Sequence, residues 1–376
     1  LPLRFALDEA QSVGLALRND SDKPLRGVLH DDAPDEFSVE RERLEFALAP
    51  RSTMLLEYDA RAPRRGEYDF GAINLRLDGA LGLGALIVVQ PAAASVRVYP
   101  NPRGPRRYEL ALRQNVLHSL GVRRSRALGR GGEFEQLRDY VPGDALRELD
   151  WKATAKRSRP ITRIHGQEHS QTVLLALDIG RLMAQPIASA SKLDHAIDAA
   201  LLVAWVALRA GDRVGLVVFA NEVEHFVPAG RGHGQYLRLV ETLYRLEAGD
   251  AYVDFRELAR FVRARVPRRS LLLVFSDLLD ESQTAPLVSE LPKLGQKHVV
   301  VCVTLNDPLA AELATAPPRN ADEVYRRAAA ADLLAERALI HKQLSRAGVA
   351  VLESSAANLA VASVNRYFAI KSQQQL

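Results

Sequence analysis

Two aspartates in this sequence stand where a carboxylate can meet a ligand. Asp178 closes the apolar run Val173-Leu174-Leu175-Ala176-Leu177, and Asp277 follows Leu271-Leu272-Leu273-Val274-Phe275-Ser276. Each run has the length and composition of a strand buried on both faces. Parallel sheets of such strands place ligands outside their carboxyl ends. Two carboxylates at neighbouring strand ends can hold a divalent cation such as Mg2+ through oxygen ligands. The competing roles are capping of the helices that follow and pairing with arginine.

A second concentration of chemistry precedes the first of these runs. It reads Gly132-Glu133-Phe134, Leu137-Arg138-Asp139-Tyr140-Val141-Pro142-Gly143-Asp144, Arg147, then Asp150-Trp151-Lys152-Ala153-Thr154-Ala155. Pro142-Gly143 is a turn signal. Asp139, Asp144 and Asp150 can pair with Arg138, Arg147 and Lys152, with the rings of Tyr140 and Trp151 buried. The stretch is then a clamp that fastens a connector to the following sheet, and also a candidate partner surface. Asp150-Trp151-Lys152 has, in addition, the acidic-x-Lys form of metal-dependent nucleases, with Glu133 or Asp139 upstream. This keeps a metal-dependent hydrolase or nuclease using Asp150 and Lys152 as an alternative. His165 and His169 are four apart, but Gly166 and a strand-like context argue against a helical zinc motif. The histidines and Ser276 show no nucleophile-elbow spacing, and Gly129-Arg130-Gly131-Gly132 lacks the Lys-Ser/Thr of a phosphate-binding loop. The single cysteine, Cys302, lies inside Val299-Val300-Val301-Cys302-Val303 and reads as a core residue.

The elements that must position these residues fall into three segments. Residues 1–98 look all-β, with strands at Val13–Leu17, Met54–Tyr58 and Leu86–Val89 and turn chemistry at Asn19–Asp22 and Arg64–Glu67, which suggests a small β-sandwich. Residues 99–171 form a basic connector that carries the signature stretch. Between 101 and 165 there are 15 Lys or Arg against 7 Asp or Glu, whereas the whole chain of 376 residues carries a net charge of only +4. The excess is therefore local. It suits an acidic partner, an anionic membrane or nucleic acid. A polyanion-binding role for residues 103–130 is a further alternative, but Tyr108 is its one aromatic residue and base stacking is not expected. Residues 172–376 alternate strands (Val173–Asp178, Val214–Phe219, Leu271–Ser276, Val299–Thr304, Val349–Leu352) with helices (Lys192–Arg209, Gln235–Leu246, Phe255–Arg265, Ala285–Leu294, Ala321–Arg346). That alternation predicts a doubly wound, mostly parallel, Rossmann-like α/β layer. No apolar run reaches membrane-spanning length. The chain starts at Leu1, not Met, and is read as a piece cut from something longer.

The α/β layout resembles the von Willebrand factor A fold. The metal-ion-dependent adhesion site of that fold uses Asp-x-Ser-x-Ser, a threonine from a later loop and a final aspartate. Here the first motif is Asp178-Ile179-Gly180-Arg181-Leu182, the loop from Ala220 to Gly232 offers no threonine, and Asp277 matches the final aspartate. The site is degenerate: without the hydroxyls Mg2+ has too few ligands, and no stable metal or other cofactor is expected. The signature stretch makes the resemblance narrower. Together with Arg64-Arg65-Gly66-Glu67-Tyr68, Gly82-Leu83-Gly84, Gly211-Asp212-Arg213-Val214 and Val364-Asn365-Arg366-Tyr367, it is similar to the bacterial domain-of-unknown-function family 58. That resemblance implies a non-enzymatic adaptor, a partner of MoxR-type AAA+ ATPases. It further implies a cytoplasmic-facing module, membrane-anchored in the full-length protein through segments absent from this chain. The edge around Asp178, Gly180 and Asp277 is then the expected ligand-facing edge.

Overall fold

The computed structural model describes residues 4–7, 9–79, 84–100, 136–140, 151, 154–155, 159–164, 171–187, 190–277, 281–306 and 308–373. Residues up to Tyr99 build three small sheets, of three, three and four strands. The expected strands are present as Gln11–Arg18, Thr53–Arg61 and Ala85–Gln90. They are joined by others that the sequence left unassigned, among them Leu25–Asp31, Gly66–Phe70, Ile73–Asp78 and Ala94–Tyr99. Alternation fixes which side chains face inward: in Leu44–Leu48, Leu44, Phe46 and Leu48 are buried and the residues between them exposed. The shared core centres on Phe5, Phe37 and Phe70, with Phe37 edge-on to both others at 5.4 and 5.6 Å.

The second part is a mixed α/β layer on a six-stranded sheet. Its strands are β1 (Thr172–Asp178), β2 (Arg213–Phe219), β3 (Val223–Gly230), β4 (Leu271–Phe275), β5 (Val299–Leu305) and β6 (Ala350–Ser354), in the order β3-β2-β1-β4-β5-β6. All neighbours are parallel except β2 and β3. The helices are α1 (Lys192–Arg209), α2 (Gly232–Leu243), α3 (Phe255–Arg265), α4 (Glu281–Gly295), α5 (Pro308–Thr315), α6 (Ala321–Arg346) and α7 (Leu359–Ser372). Alternate residues of β1 join two different cores. Val173, Leu175 and Leu177 pack with α1, α2 and α7, whereas Leu174 and Ala176 pack with α3, α4 and α6. Such strands read as continuous apolar runs because each is covered on both faces. Cys302 lies in the second core, fully buried.

One expected loop is a strand. Residues 223–230 pair antiparallel with β2 at the sheet edge, with register shifts on either side of the paired stretch. Pro228 and Gly230 disguised it: a proline cannot donate to a ladder, but it is tolerated on an edge strand beside an irregularity.

The β-rich part and the α/β layer meet directly. The guanidinium of Arg65, 6% exposed, donates through Nε to Asp194 Oδ1 at 2.5 Å and through Nη1 to the Leu243 carbonyl at 2.7 Å. Tyr99 packs on Tyr244 with ring centroids 4.9 Å apart, and Arg97 lies 3.8 Å from Glu241. Asp194 is also the N3 residue of a capping box, in which Ser191 and Asp194 satisfy each other's backbone N–H groups at the start of α1. Arg65 thus ties the first part to the N-terminus of α1 and the C-terminus of α2 at once.

Candidate functional site

Parallel pairing of β1 with β4 aligns Leu177 with Phe275, so the chain leaves the two strands side by side at Asp178 and Ser276. The Ser276 hydroxyl donates to Asp178 Oδ2 at 2.6 Å, and the Gly180 N–H donates to Oδ1 at 2.7 Å. Asp178 is buried, and burial pushes its carboxyl up to about 7 despite those two hydrogen bonds, with the Asp277 charge adding to the rise.

Asp277, the next residue along, is equally enclosed. Lys192, the first residue of α1, sends its ammonium inward, where it donates to Asp277 Oδ2 and, at 2.6 Å, to Gln185 Oε1. On the other side Arg337, from the middle of α6, stands 3.8 Å from Asp277 Oδ1. Its guanidinium donates to Thr304 Oγ1 at 2.8 Å and to the Leu305 carbonyl, and lies 3.3 Å from Glu353. His341 sits 3.4 Å from the same glutamate. Burial first, then Arg337, holds this imidazole below its ordinary pKa, against the opposing pull of Glu353.

The sequence therefore located both aspartates at the correct strand ends, but the expected ligand-facing edge is closed. A divalent cation would have to displace an ammonium already bonded to Asp277 and accept Arg337 as a neighbour. Restoring the lost hydroxyl at position 180 also meets an obstacle, since a Cβ there would lie 2.6 Å from Val253 Cγ2 and 3.0 Å from the Ala251 carbonyl oxygen. Among the described residues no group of three or more His, Cys, Asp or Glu is placed to hold a metal ion. The residues present do not fit Mg2+; they fit a network in which lysine supplies the positive charge.

Sequence reasoning missed Lys192, Gln185, Ser276 and Arg337. The sequence placed the start of this helix at Lys192, yet nothing local shows that the Lys192 side chain turns inward. At the rim, Arg181 stacks over the ring of the exposed Tyr252 at 4.6 Å.

Of the signature stretch, Gln136–Asp139, which contains Arg138 and Asp139, pairs antiparallel with Ile161–Ile164, and the Tyr140 N–H donates to the Pro160 carbonyl at 2.9 Å. Tyr140 is half-buried. Trp151 corrects the expectation of a buried ring: it is 71% exposed. Glu133, Phe134, Pro142, Gly143, Asp144, Arg147, Asp150 and Lys152 lie outside the described residues, as do residues 103–130, His165 and His169.

Residues 136–320, which hold the 136–164 ladder and, of the strand-end network, Asp178, Gln185, Lys192, Ser276 and Asp277 but not Arg337, match the family described as Protein of unknown function DUF58. This part of the chain is similar to the DUF58 family. Uncharacterized protein Mb1516 of Mycobacterium bovis is 29% identical over 219 residues, covering 55% of this chain and 66% of the relative. The chain thus spans just under two thirds of that relative's length. Uncharacterized protein YeaD of Bacillus subtilis is 28% identical over 139 residues, 36% of this chain and 33% of YeaD. Among solved structures, the conserved hypothetical protein BatB from Bacteroides thetaiotaomicron aligns with 54% of this chain and 99% of its own, at 16% identity and a TM-score of 0.38. The SpRpn10 VWA domain aligns with 52% of this chain and 93% of its own, at 8% identity and a TM-score of 0.33.

Proposed function

We propose that this chain is a non-enzymatic protein-interaction module, in which a β-sandwich is docked on a doubly wound, von Willebrand factor A-like layer with a degenerate metal-ion-dependent adhesion site. The observation that carries this reading is the closure of the strand ends by Lys192, Asp277 and Arg337. A reaction centre needs a nucleophile, acid or metal that substrate can reach, and here the charged groups satisfy one another below the surface. What stays exposed above them is recognition chemistry: Arg181 stacked on Tyr252 and, in the signature stretch, Trp151. Arginine, tyrosine and tryptophan are the residue types that anchor protein interfaces.

The partner in this reading is a MoxR-type AAA+ ATPase, and the full-length protein is a membrane-anchored, cytoplasmic-facing adaptor. The anchoring segments lie outside this chain; among the described residues no helix is long and apolar enough to cross a membrane.

Binding of the purified chain to a MoxR-type AAA+ ATPase, measured by biolayer interferometry, tests the proposal. Trp151→Ala and Arg181→Glu are each expected to weaken binding at least tenfold while leaving the melting temperature unchanged. Undiminished binding by both variants, or no binding by the unaltered chain, overturns it.

A further inference from the structure

The opposite end of the sheet carries a feature that the strand-end network does not use. There β4, β5 and β6 begin, and the chain enters β5 through Gly295-Gln296-Lys297-His298. A cavity of about 400 Å³ opens at this end, lined by Arg269, Gly295, His298, Gly348 and Arg366 together with the first residues of β5 and β6. His298 is only 3% exposed, and among the described residues neither of its ring nitrogens has a hydrogen-bond partner. Buried polar groups in folded proteins are almost always paired, and an orphaned one calls for a group that completes it.

The surroundings specify the charge of that group. Arg269 and Arg366 line the cavity, and no carboxylate is among its described lining residues. Burial first, and then the charges of Lys297 and Arg269, hold the His298 imidazole below its ordinary pKa. Arginine presents paired N–H donors whose spacing matches two oxygens of a carboxylate or phosphate. Gly295 and Gly348 leave the mouth open: a Cβ at either position would meet nothing within 4 Å, and Gly348 has a φ of +82° that favours glycine. Arg366 stands next to Tyr367 on α7. Tyr367 is buried and donates to Asp212 Oδ2 at 2.5 Å, and Lys371 joins the same carboxylate at 2.7 Å. Those bonds set the rotation of α7 against the start of β2. They also give a role to the Gly211-Asp212 and Val364–Tyr367 motifs, which the strand-end network leaves unused.

We propose that this cavity binds one oxyanion group, a phosphoryl or a carboxylate, between the guanidinium groups of Arg269 and Arg366, with an N–H of His298 donating from the floor. The site is separate from the Asp178–Asp277 network and independent of the adaptor reading.

The test is a long-range 1H–15N spectrum of the histidine-labelled chain, with His298 assigned by through-bond correlation. It is titrated at fixed pH with sodium phosphate or sodium acetate, against sodium chloride at matched ionic strength. The expected result is a saturable shift of the His298 ring nitrogens that chloride does not produce, with Arg366→Gln raising the half-saturation concentration at least tenfold. Saturation by phosphate alone assigns phosphoryl ligands; saturation by acetate, alone or as well, assigns carboxylates. The absence of a saturable shift with either salt overturns the proposal on the unaltered chain, without recourse to the variant. A shift that Arg366→Gln leaves intact also overturns it.

Discussion

Lys192 and Asp277, 85 residues apart in sequence, form an ion pair in which each side chain is only 2% exposed. The ammonium stands on the carboxylate that a divalent cation would need. Breaking a buried pair by removing one partner is costly because the other charge stays behind unpaired. Lys192→Met keeps the aliphatic stem and removes the charge. It is expected to lower the free energy of unfolding by about 3–5 kcal/mol, read from urea denaturation. A loss below about 1 kcal/mol would mean that Arg337 alone compensates Asp277.

The same pair predicts indifference to metal. Millimolar MgCl2 and a chelator should give the same melting temperature for the unaltered chain, since a ligand raises stability only where it binds the folded state. Gly180→Ser should not create a response: its Cβ would press on Val253 and the Ala251 carbonyl, which is expected to destabilise the fold by about 1–3 kcal/mol. A magnesium-dependent rise of several degrees in either protein would contradict the closed-site geometry.

Asp178 predicts a pH dependence. Its carboxyl is raised from 3.8 to about 7 by burial. Between those values the folded chain holds a proton that the unfolded chain has released, so this group's contribution to stability falls as pH rises from about 4 to about 7, then levels off. Asp178→Asn keeps an acceptor for the Gly180 N–H and cannot ionise. The difference in unfolding free energy between Asp178→Asn and the unaltered chain should therefore move in favour of the variant from pH 5 to pH 8. A difference that does not change with pH would refute the assignment.

Arg65 predicts how the two parts hold together. Burial alone would raise the Asp194 carboxyl, but Arg65 and the Ser191 hydrogen bonds outweigh it and hold the group below its usual value. The stability this supplies is present above the ordinary carboxylate pKa and is lost as pH falls below it. Arg65→Ala should cost about 3–5 kcal/mol, read from urea denaturation. Arg65→Lys should recover little, because one ammonium cannot replace a fork that reaches both Asp194 and the Leu243 carbonyl.

Much of the α/β layer was legible in the sequence. Helices expected at Lys192–Arg209, Phe255–Arg265 and Ala321–Arg346 are found with those bounds, because apolar period, N-cap residues and terminal arginines agree there. Strands of continuous Val and Leu were equally plain. The short alternating strands before residue 100 were mostly missed, as was β3, since polar residues, glycines and a proline dilute a period-2 signal that burial on one face is enough to stabilise. Helix α7 went unrecognised because Ser363 and Asn365 interrupt its apolar stripe; Ser363 is nonetheless fully buried.

The sequence by itself determined the two covered faces of the sheet and the arrival of Asp178 and Asp277 at neighbouring strand ends. These follow from periodicity, turn residues and caps, whose physics reaches only a few positions along the chain. Tertiary structure alone decided that Lys192 and Arg337 close that edge, that Arg65 joins the two parts, and that Trp151 is exposed. Lysine and arginine carry long stems whose direction is set by the charges they can reach. For Lys192 and Arg65 those charges lie 85 and 129 residues away, beyond anything local patterning encodes.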